Sequence, residues 1–120
     1  MPTISKEVLS GSTNGRGKEV TGTSSGAAVT LHTATTGGSN ADIDEIFIYA
    51  TNIDTSQILL TIEFGGSDSP DDHILAKIPA QTTVLVVPGL ILRAGLEVKA
   101  FAGTGNKITC HGFVNRIDIS

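Results

Sequence analysis

The chain has no tryptophan, a single cysteine, a single tyrosine and only four phenylalanines among its 120 residues. The lone thiol, Cys110, cannot close an internal disulfide, which excludes the cross-braced scaffold of a small secreted protein. So few rings also argue against a carbohydrate site, which leans on exposed aromatics for stacking. Charge is scarce: 17% of residues carry one, against roughly 25% in ordinary soluble domains. What charge there is sums to −4, with an isoelectric point near 5.1, and this opposes broad attraction to nucleic acid or to an anionic membrane. No run approaches the roughly 18 apolar residues of a bilayer span, and the opening MPTISKEVLSG lacks the apolar core of a signal peptide. The expectation is a protein made in the cytoplasm, with neither nucleic acid nor membrane as partner.

Apolar residues make up 39% of the chain, enough for one domain with a proper core and too little chain for two. Threonine, serine and glycine are abundant, which favours short strands joined by turns over packed helices. Scarce surface charge has a second consequence, since a surface with few charges to keep it apart from others is suited to burial in an assembly.

Residues 1–26 differ from the rest. The stretch SGSTNGRGKEVTGTSSG offers only Val20 as an apolar anchor, so an extended or loop-rich N-terminal arm is expected there, followed by a β domain over 27–120. From Ala27 onward period-two alternation sets in. AAVTLHTAT sets Val29 and Leu31 opposite Thr30 and His32. TGGSNAD is a turn by composition. DIDEIFIYATN places Ile46, Ile48 and Ala50 on one side and Glu45, Phe47 and Tyr49 on the other. QILLTIEF sets Ile58, Leu60, Ile62 and Phe64 against Leu59, Thr61 and Glu63. HILAKIPA and TTVLVVPG follow as short strands closed by prolines. The apolar run from Val84 to Leu92, with Pro88 and Gly89 at its middle, reads as two strands at a corner. LILRAG and LEVKAFAG then pair around Ala94 and Gly95. KITCHGFVNRIDI points Ile108, Cys110 and Val114 inward, with a bulge expected at Gly112. About eight strands with turn signals every eight to twelve residues predict an all-β, antiparallel β-sandwich, jelly-roll-like, with a closed barrel as the alternative.

Chemical motifs are thin. Ser12–Lys18, STNGRGK, departs from a phosphate-binding loop at two informative positions and has neither a strand before it nor a helix after it, so a flexible loop is expected. Asp68, Asp71 and Asp72, beside His73, gather oxygen ligands that suit a hard cation, but their spacing matches no EF-hand and a solvated turn explains them equally. His32, His73 and His111 have no partner at ligand spacing. Glu45, Glu63 and Glu97 fall on the polar parity of their strands, where solvated faces account for them. Neither a catalytic residue nor a cofactor is expected. Phe47, Tyr49, Phe101 and Phe113 lie opposite the main aliphatic face, as an intersubunit contact or as a second buried layer.

The runs GRGKEVTGTSSGAAVTLHTATTG, DEIFIYATNIDTSQILLTIEFGG, KIPAQTTVLVVPGLILRAGLEVKAFAG and KITCHGFVNRI resemble small structural virion proteins of tailed bacteriophages. The phrases TIEFGG, IPAQTT and VPGL carry most of the likeness, which is greatest to capsid decoration, or cement, proteins. The resemblance implies a jelly-roll-like sandwich, a homotrimer, seated on the outer capsid lattice with the major capsid protein as partner, clamping neighbouring capsomers together. The resemblance carries over no functional residues; composition and strand parity place the expected partner contacts at Ile4, Val8, Leu9, Arg16 and Lys18 of the arm and at Phe47, Tyr49, Phe101 and Phe113 of the domain. Two alternatives stay open: a tail, connector or baseplate component, and a small module binding carbohydrate or metal.

Overall fold

Alternation of apolar and polar residues becomes strand structure wherever the sequence shows it. The computed structural model describes residues 2–36 and 42–118, so the turn expected over TGGSNAD falls largely outside the described residues. Nine strands follow in order: β1 Thr3–Val8, β2 Lys18–Val20, β3 Val29–Thr33, β4 Ile43–Asn52, β5 Ile58–Phe64, β6 His73–Ile78, β7 Thr82–Leu92, β8 Glu97–Ala102 and β9 Ile108–Asp118. A 3-10 turn, Ser25–Ala27, lies between β2 and β3.

The strands form two antiparallel sheets. One runs β1-β9-β4-β7, with β2 also on β9, and the other runs β3-β8-β5-β6. The pairings are nested: β5 with β6, β4 with β7, β3 with β8 and β2 with β9. Eight strands thus make one long antiparallel ribbon folded over on itself, and the further pairs β4·β9 and β5·β8 close each sheet. The inner faces meet in an aliphatic core. Ile46, Ile48 and Ala50 face in from β4, Leu60 and Ile62 from β5, Ala100 and Ala102 from β8, and Ile108, Cys110 and Val114 from β9, all without solvent exposure. Each buried Ile or Leu contributes about 1.5–3 kcal/mol.

Four features differ from what the sequence predicts. First, Val20 is not the only apolar anchor of residues 1–26. Leu9 is buried in the core, and Gly11 donates its N–H to the Leu31 carbonyl at 2.9 Å. β1 and β2 lie in line along one edge of β9, opposite residues 113–118 and 108–110 respectively. Second, Val84–Leu92 belongs to one strand. The register against β4 shifts twice, leaving Val86 and Gly89 as extra residues, and two bulges are how consecutive apolar residues share one strand. Gly89 sits at φ +88° with the Phe47 ring against it, where a Cβ would come within 3.0 Å. Third, β8 does not pair with the end of β7; it crosses to the other sheet and lies between β3 and β5. Fourth, Gly112 carries no bulge, because the β4·β9 register is continuous from Ile43↔Ile117 to Asn52↔Ile108. Glycine is needed there for close approach, since a Cβ would overlap the Phe47 carbonyl oxygen.

Candidate functional site

Residues opposite one another on antiparallel strands point to the same face, so the registers lay out the outer surface of the β1-β9-β4-β7 sheet row by row. One row is Val8, Phe113, Phe47 and Pro88; the next is His111, Tyr49 and Leu85. On the other side of the phenylalanines lie Lys6, Asn115, Glu45 and Ile91, then Ile4, Ile117 and Ile43. Phe47 and Phe113 stack with centroids 4.8 Å apart, and the Lys6 ammonium lies 4.9 Å from the Phe113 centroid. Ile4, Val8, Tyr49, Leu85 and Ile91 are all exposed, from 39% for Tyr49 to 69% for Ile4. The result is an apolar patch centred on a stacked ring pair, divided from Ile4, Ile117 and Ile43 by the polar Lys6, Asn115 and Glu45.

Of the expected partner contacts, this face gathers Ile4, Val8, Phe47, Tyr49 and Phe113. Leu9 does not belong to it, because its side chain fills the core. Lys18 pairs opposite the inward Cys110 and so lies on the inward parity at the sheet's edge. Arg16 is exposed in the turn between β1 and β2. Phe101 is on the far side of the molecule, in the other sheet beside Thr61, with the His73 ring edge-on at 6.2 Å.

A buried polar network joins the two sheets. Asp44 has no exposure and His32 has 1%. The Ser10 backbone N–H donates to His32 Nδ1 at 3.0 Å; a backbone amide can only donate, so the ring proton sits on Nε2, which donates to Asp44 Oδ2 at 2.8 Å. Arg116 donates to the same carboxylate, Nε to Oδ1 at 2.8 Å and Nη2 to Oδ2 at 3.0 Å, and Thr35 N–H adds a bond at 3.0 Å. Burial alone would raise the Asp44 pKa, but the bonds from Arg116, His32 and Thr35 outweigh it and hold the carboxyl below its ordinary value. His32 faces inward because of a bulge: the β3·β8 register slips between Thr30 and His32, so Leu31 and His32 are both buried. The network is structural, with both Asp44 carboxylate oxygens accepting from protein and the Asp44 carboxylate itself fully buried.

On the outside of the second sheet, Glu63 is 2% exposed, which corrects the expectation of a solvated carboxylate. The 3-10 turn covers it, and Ser25 Oγ donates to Glu63 Oε2 at 2.6 Å. His73 Nε2 stands 3.4 Å from the same oxygen without hydrogen-bonding geometry, and it has no other partner among the described residues. Beside Glu63 lies a cleft of about 290 Å³ lined by Gly65, Gly66, Gly95, Leu96, Glu97 and Lys99 among others. Glu97 is spent on Lys99 at 3.4 Å, and Glu45 accepts from Asn115 at 3.1 Å. Ser25 and His73 both address the carboxylate and not each other, so this is no nucleophile–base relay.

The remaining motifs are used for local structure. Ser12 Oγ donates to the Leu9 carbonyl at 2.6 Å and accepts from Gly15 N–H at 3.2 Å, so the glycine-rich Ser12–Lys18 turn folds on its own backbone. Asp72 accepts from Asp68 N–H at 3.1 Å and donates its own N–H to the Asp68 carbonyl at 2.9 Å, while Asp68 and Asp71 are exposed. Among the described residues no group of three or more His, Cys, Asp or Glu side chains is placed to hold a metal. Cys110 is buried, and desolvation pushes its thiol up to about 12, far from the thiolate a nucleophile needs. Comparison with protein families, curated proteins and solved structures finds no match to this chain.

Sequence reasoning missed Asp44, His32, Arg116 and the burial of Glu63. Asp44 was within reach, because it shares the inward parity of Ile46, Ile48 and Ala50. Nothing local marks Glu63, whose cover arrives from a turn 38 residues away in sequence.

Proposed function

We propose that this chain is a structural virion protein of a tailed bacteriophage, a decoration protein that binds the outer capsid lattice and clamps neighbouring capsomers. The reading takes the nested ribbon as a jelly roll and assigns the protein no catalysis. One observation carries it: the apolar face in which Phe47, Phe113, Tyr49, Leu85 and Val8 form contiguous rows. Contiguous apolar area of this kind marks an interaction surface. The sequence resemblance to cement proteins supports the same partner, the major capsid protein, and a trimeric state. Cementing suits such a surface, since modest contacts repeated by symmetry sum to firm binding.

A ligand-binding module is the second reading, favoured by the Glu63 cleft, whose volume sits at the lower end for small-molecule sites. The test is light scattering on the purified protein followed by cosedimentation with the matching capsids. A trimer that sediments with capsids is expected. A ring of five or six subunits moves the reading to a tail or connector component, and a monomer that ignores capsids overturns it.

A further inference from the structure

A strand at the edge of a sheet presents unpaired N–H and C=O groups, and natural proteins blunt such edges. Five strands border the two sheets here: β1 with the three-residue β2 along one edge, and β7 along the other, in one sheet, and β3 and β6 in the other. Three are blunted by their own chain. β3 is bulged at Leu31, and Ser10–Gly11 lies along it, with Thr33 N–H on Ser10 Oγ at 2.7 Å and the Leu31 carbonyl on Gly11 N–H at 2.9 Å. β7 carries Pro88 and two bulges. β6 is capped at its start, its His73 N–H on the Pro70 carbonyl at 3.2 Å, and carries the exposed Lys77 near its end.

β1 is different. Its six residues run in unbroken register along β9, from Thr3↔Asp118 to Val8↔Phe113, with no proline, glycine or bulge. Among the described residues no strand pairs with its other side. The ammonium of Lys6, the charge best placed to guard the edge, lies over the Phe113 ring.

We propose that the open edge of β1 is a self-association site, where Thr3–Glu7 of one copy pairs antiparallel with the same residues of a second copy. The contact extends the assembly reading without depending on the capsid, because it involves only this chain. A twofold axis normal to the sheet keeps each face on its own side, so even-numbered residues oppose even and odd oppose odd. Centring on Lys6 or Glu7 sets like charges directly opposite, which is destabilising. Centring on Ile4 brings Pro2, which has no N–H, into the ladder and leaves Glu7 and Val8 unpaired. Centring on Ser5 sets no like charges opposite and keeps Pro2 outside the ladder, leaving only Val8 unpaired: Thr3 opposes Glu7, Ile4 opposes Lys6 and Ser5 opposes its own copy. The pairing joins two apolar faces side by side. A five-residue ladder buries well under the roughly 800 Å² per partner of a standard interface, so the contact is weak in solution and gains from repetition in an array.

The test compares Ser5→Cys with Lys6→Cys under mild oxidation, each at concentrations up to about 1 mM, where contacts this weak become populated. Both sites are exposed, so the substitutions leave the core intact, and buried Cys110 supplies no competing thiol. In the Ser5-centred register the two Ser5 residues are opposite, whereas the two Lys6 Cα atoms lie about 8 Å apart, beyond the roughly 7 Å limit for a disulfide. Ser5→Cys is expected to give a reducible covalent dimer in at least about fivefold excess over Lys6→Cys. Equal cross-linking of the two variants, dominance of Lys6→Cys, or no dimer from either would overturn the proposal. Capsid sedimentation is scored separately with unmodified protein, so either reading can fail without the other.

Discussion

Arg116 on β9 holds Asp44 on β4 through two parallel hydrogen bonds, Nε to Oδ1 at 2.8 Å and Nη2 to Oδ2 at 3.0 Å. The carboxylate is fully buried while the guanidinium side chain is one-third exposed, at 33%. That asymmetry predicts which partner matters. Arg116→Met leaves a buried anion with neutral donors only, and removing one member of a buried pair costs about 3–5 kcal/mol. Partial exposure of Arg116 reduces the expected loss to about 2–4 kcal/mol, read as a lower urea midpoint at unchanged slope.

The same carboxylate sets an acid limit. The folded Asp44 pKa is depressed below its ordinary value, so the folded state binds this proton less readily than the unfolded chain does. Its contribution to stability is therefore fully present above the unfolded value, about 3.9, and is lost as pH falls through the depressed folded value. Urea unfolding between pH 7 and pH 2.5 checks the sign. Wild type is expected to lose stability below about pH 4, while Asp44→Asn starts less stable at pH 7 and declines less steeply. An unaltered acid limb in Asp44→Asn would assign it to other carboxylates.

Leu9 and Ile4 share the N-terminal segment and have opposite surroundings, 1% against 69% exposed. Leu9→Ala is expected to cost about 2–4 kcal/mol as a large-to-small core change. Ile4→Ala is expected to stay within about 0.5 kcal/mol. Thermal unfolding of the two variants compares them directly, and equal, small effects would mean that the segment is not anchored at Leu9.

Much of this architecture was legible in period-two alternation, because each strand's inward set follows from its own residues. Ile46, Ile48 and Ala50, or Ile108, Cys110 and Val114, needed no knowledge of what lay opposite. Bulges broke that logic. At Leu31 one extra residue turns His32 from the outer parity to the inner one, and at Val86 and Gly89 two extra residues let a single strand carry a run that reads as two. Cross-sheet cover was equally hidden, since Ser25 reaches Glu63 through tertiary packing alone. The apolar outer face was half visible: alternation placed Phe47 and Tyr49 together, but only the β9 register adds Phe113 and leaves Phe101 in the other sheet.

Burial of Glu63 predicts the effect of its nearest donor. Ser25→Ala removes the hydroxyl bonded at 2.6 Å, and leaving a buried acceptor short of a donor costs about 1–3 kcal/mol. Ser25→Thr, which keeps the hydroxyl, is expected to recover most of that loss in the same unfolding assay. If both variants match wild type, the 3-10 turn does not hold the carboxylate in solution.

Tyr49 separates stability from assembly. It stands on the apolar face between His111 and Leu85, 39% exposed and away from the core, so Tyr49→Lys is expected to shift folding stability by no more than about 0.5 kcal/mol. An ammonium set among Phe47, Leu85 and His111 would have to be desolvated whenever that face is covered, and it adds a charge to the centre of an interface, where charge is depleted. If this face is the proposed capsid contact, binding is expected to weaken at least tenfold, the loss that follows from about 1.4 kcal/mol at a central aromatic. Leu75→Lys is the matched control: Leu75 is 63% exposed on the opposite sheet and is expected to leave binding unchanged. If Leu75→Lys weakens binding and Tyr49→Lys does not, the contact lies on the β3-β8-β5-β6 sheet, and Phe101 becomes its aromatic centre.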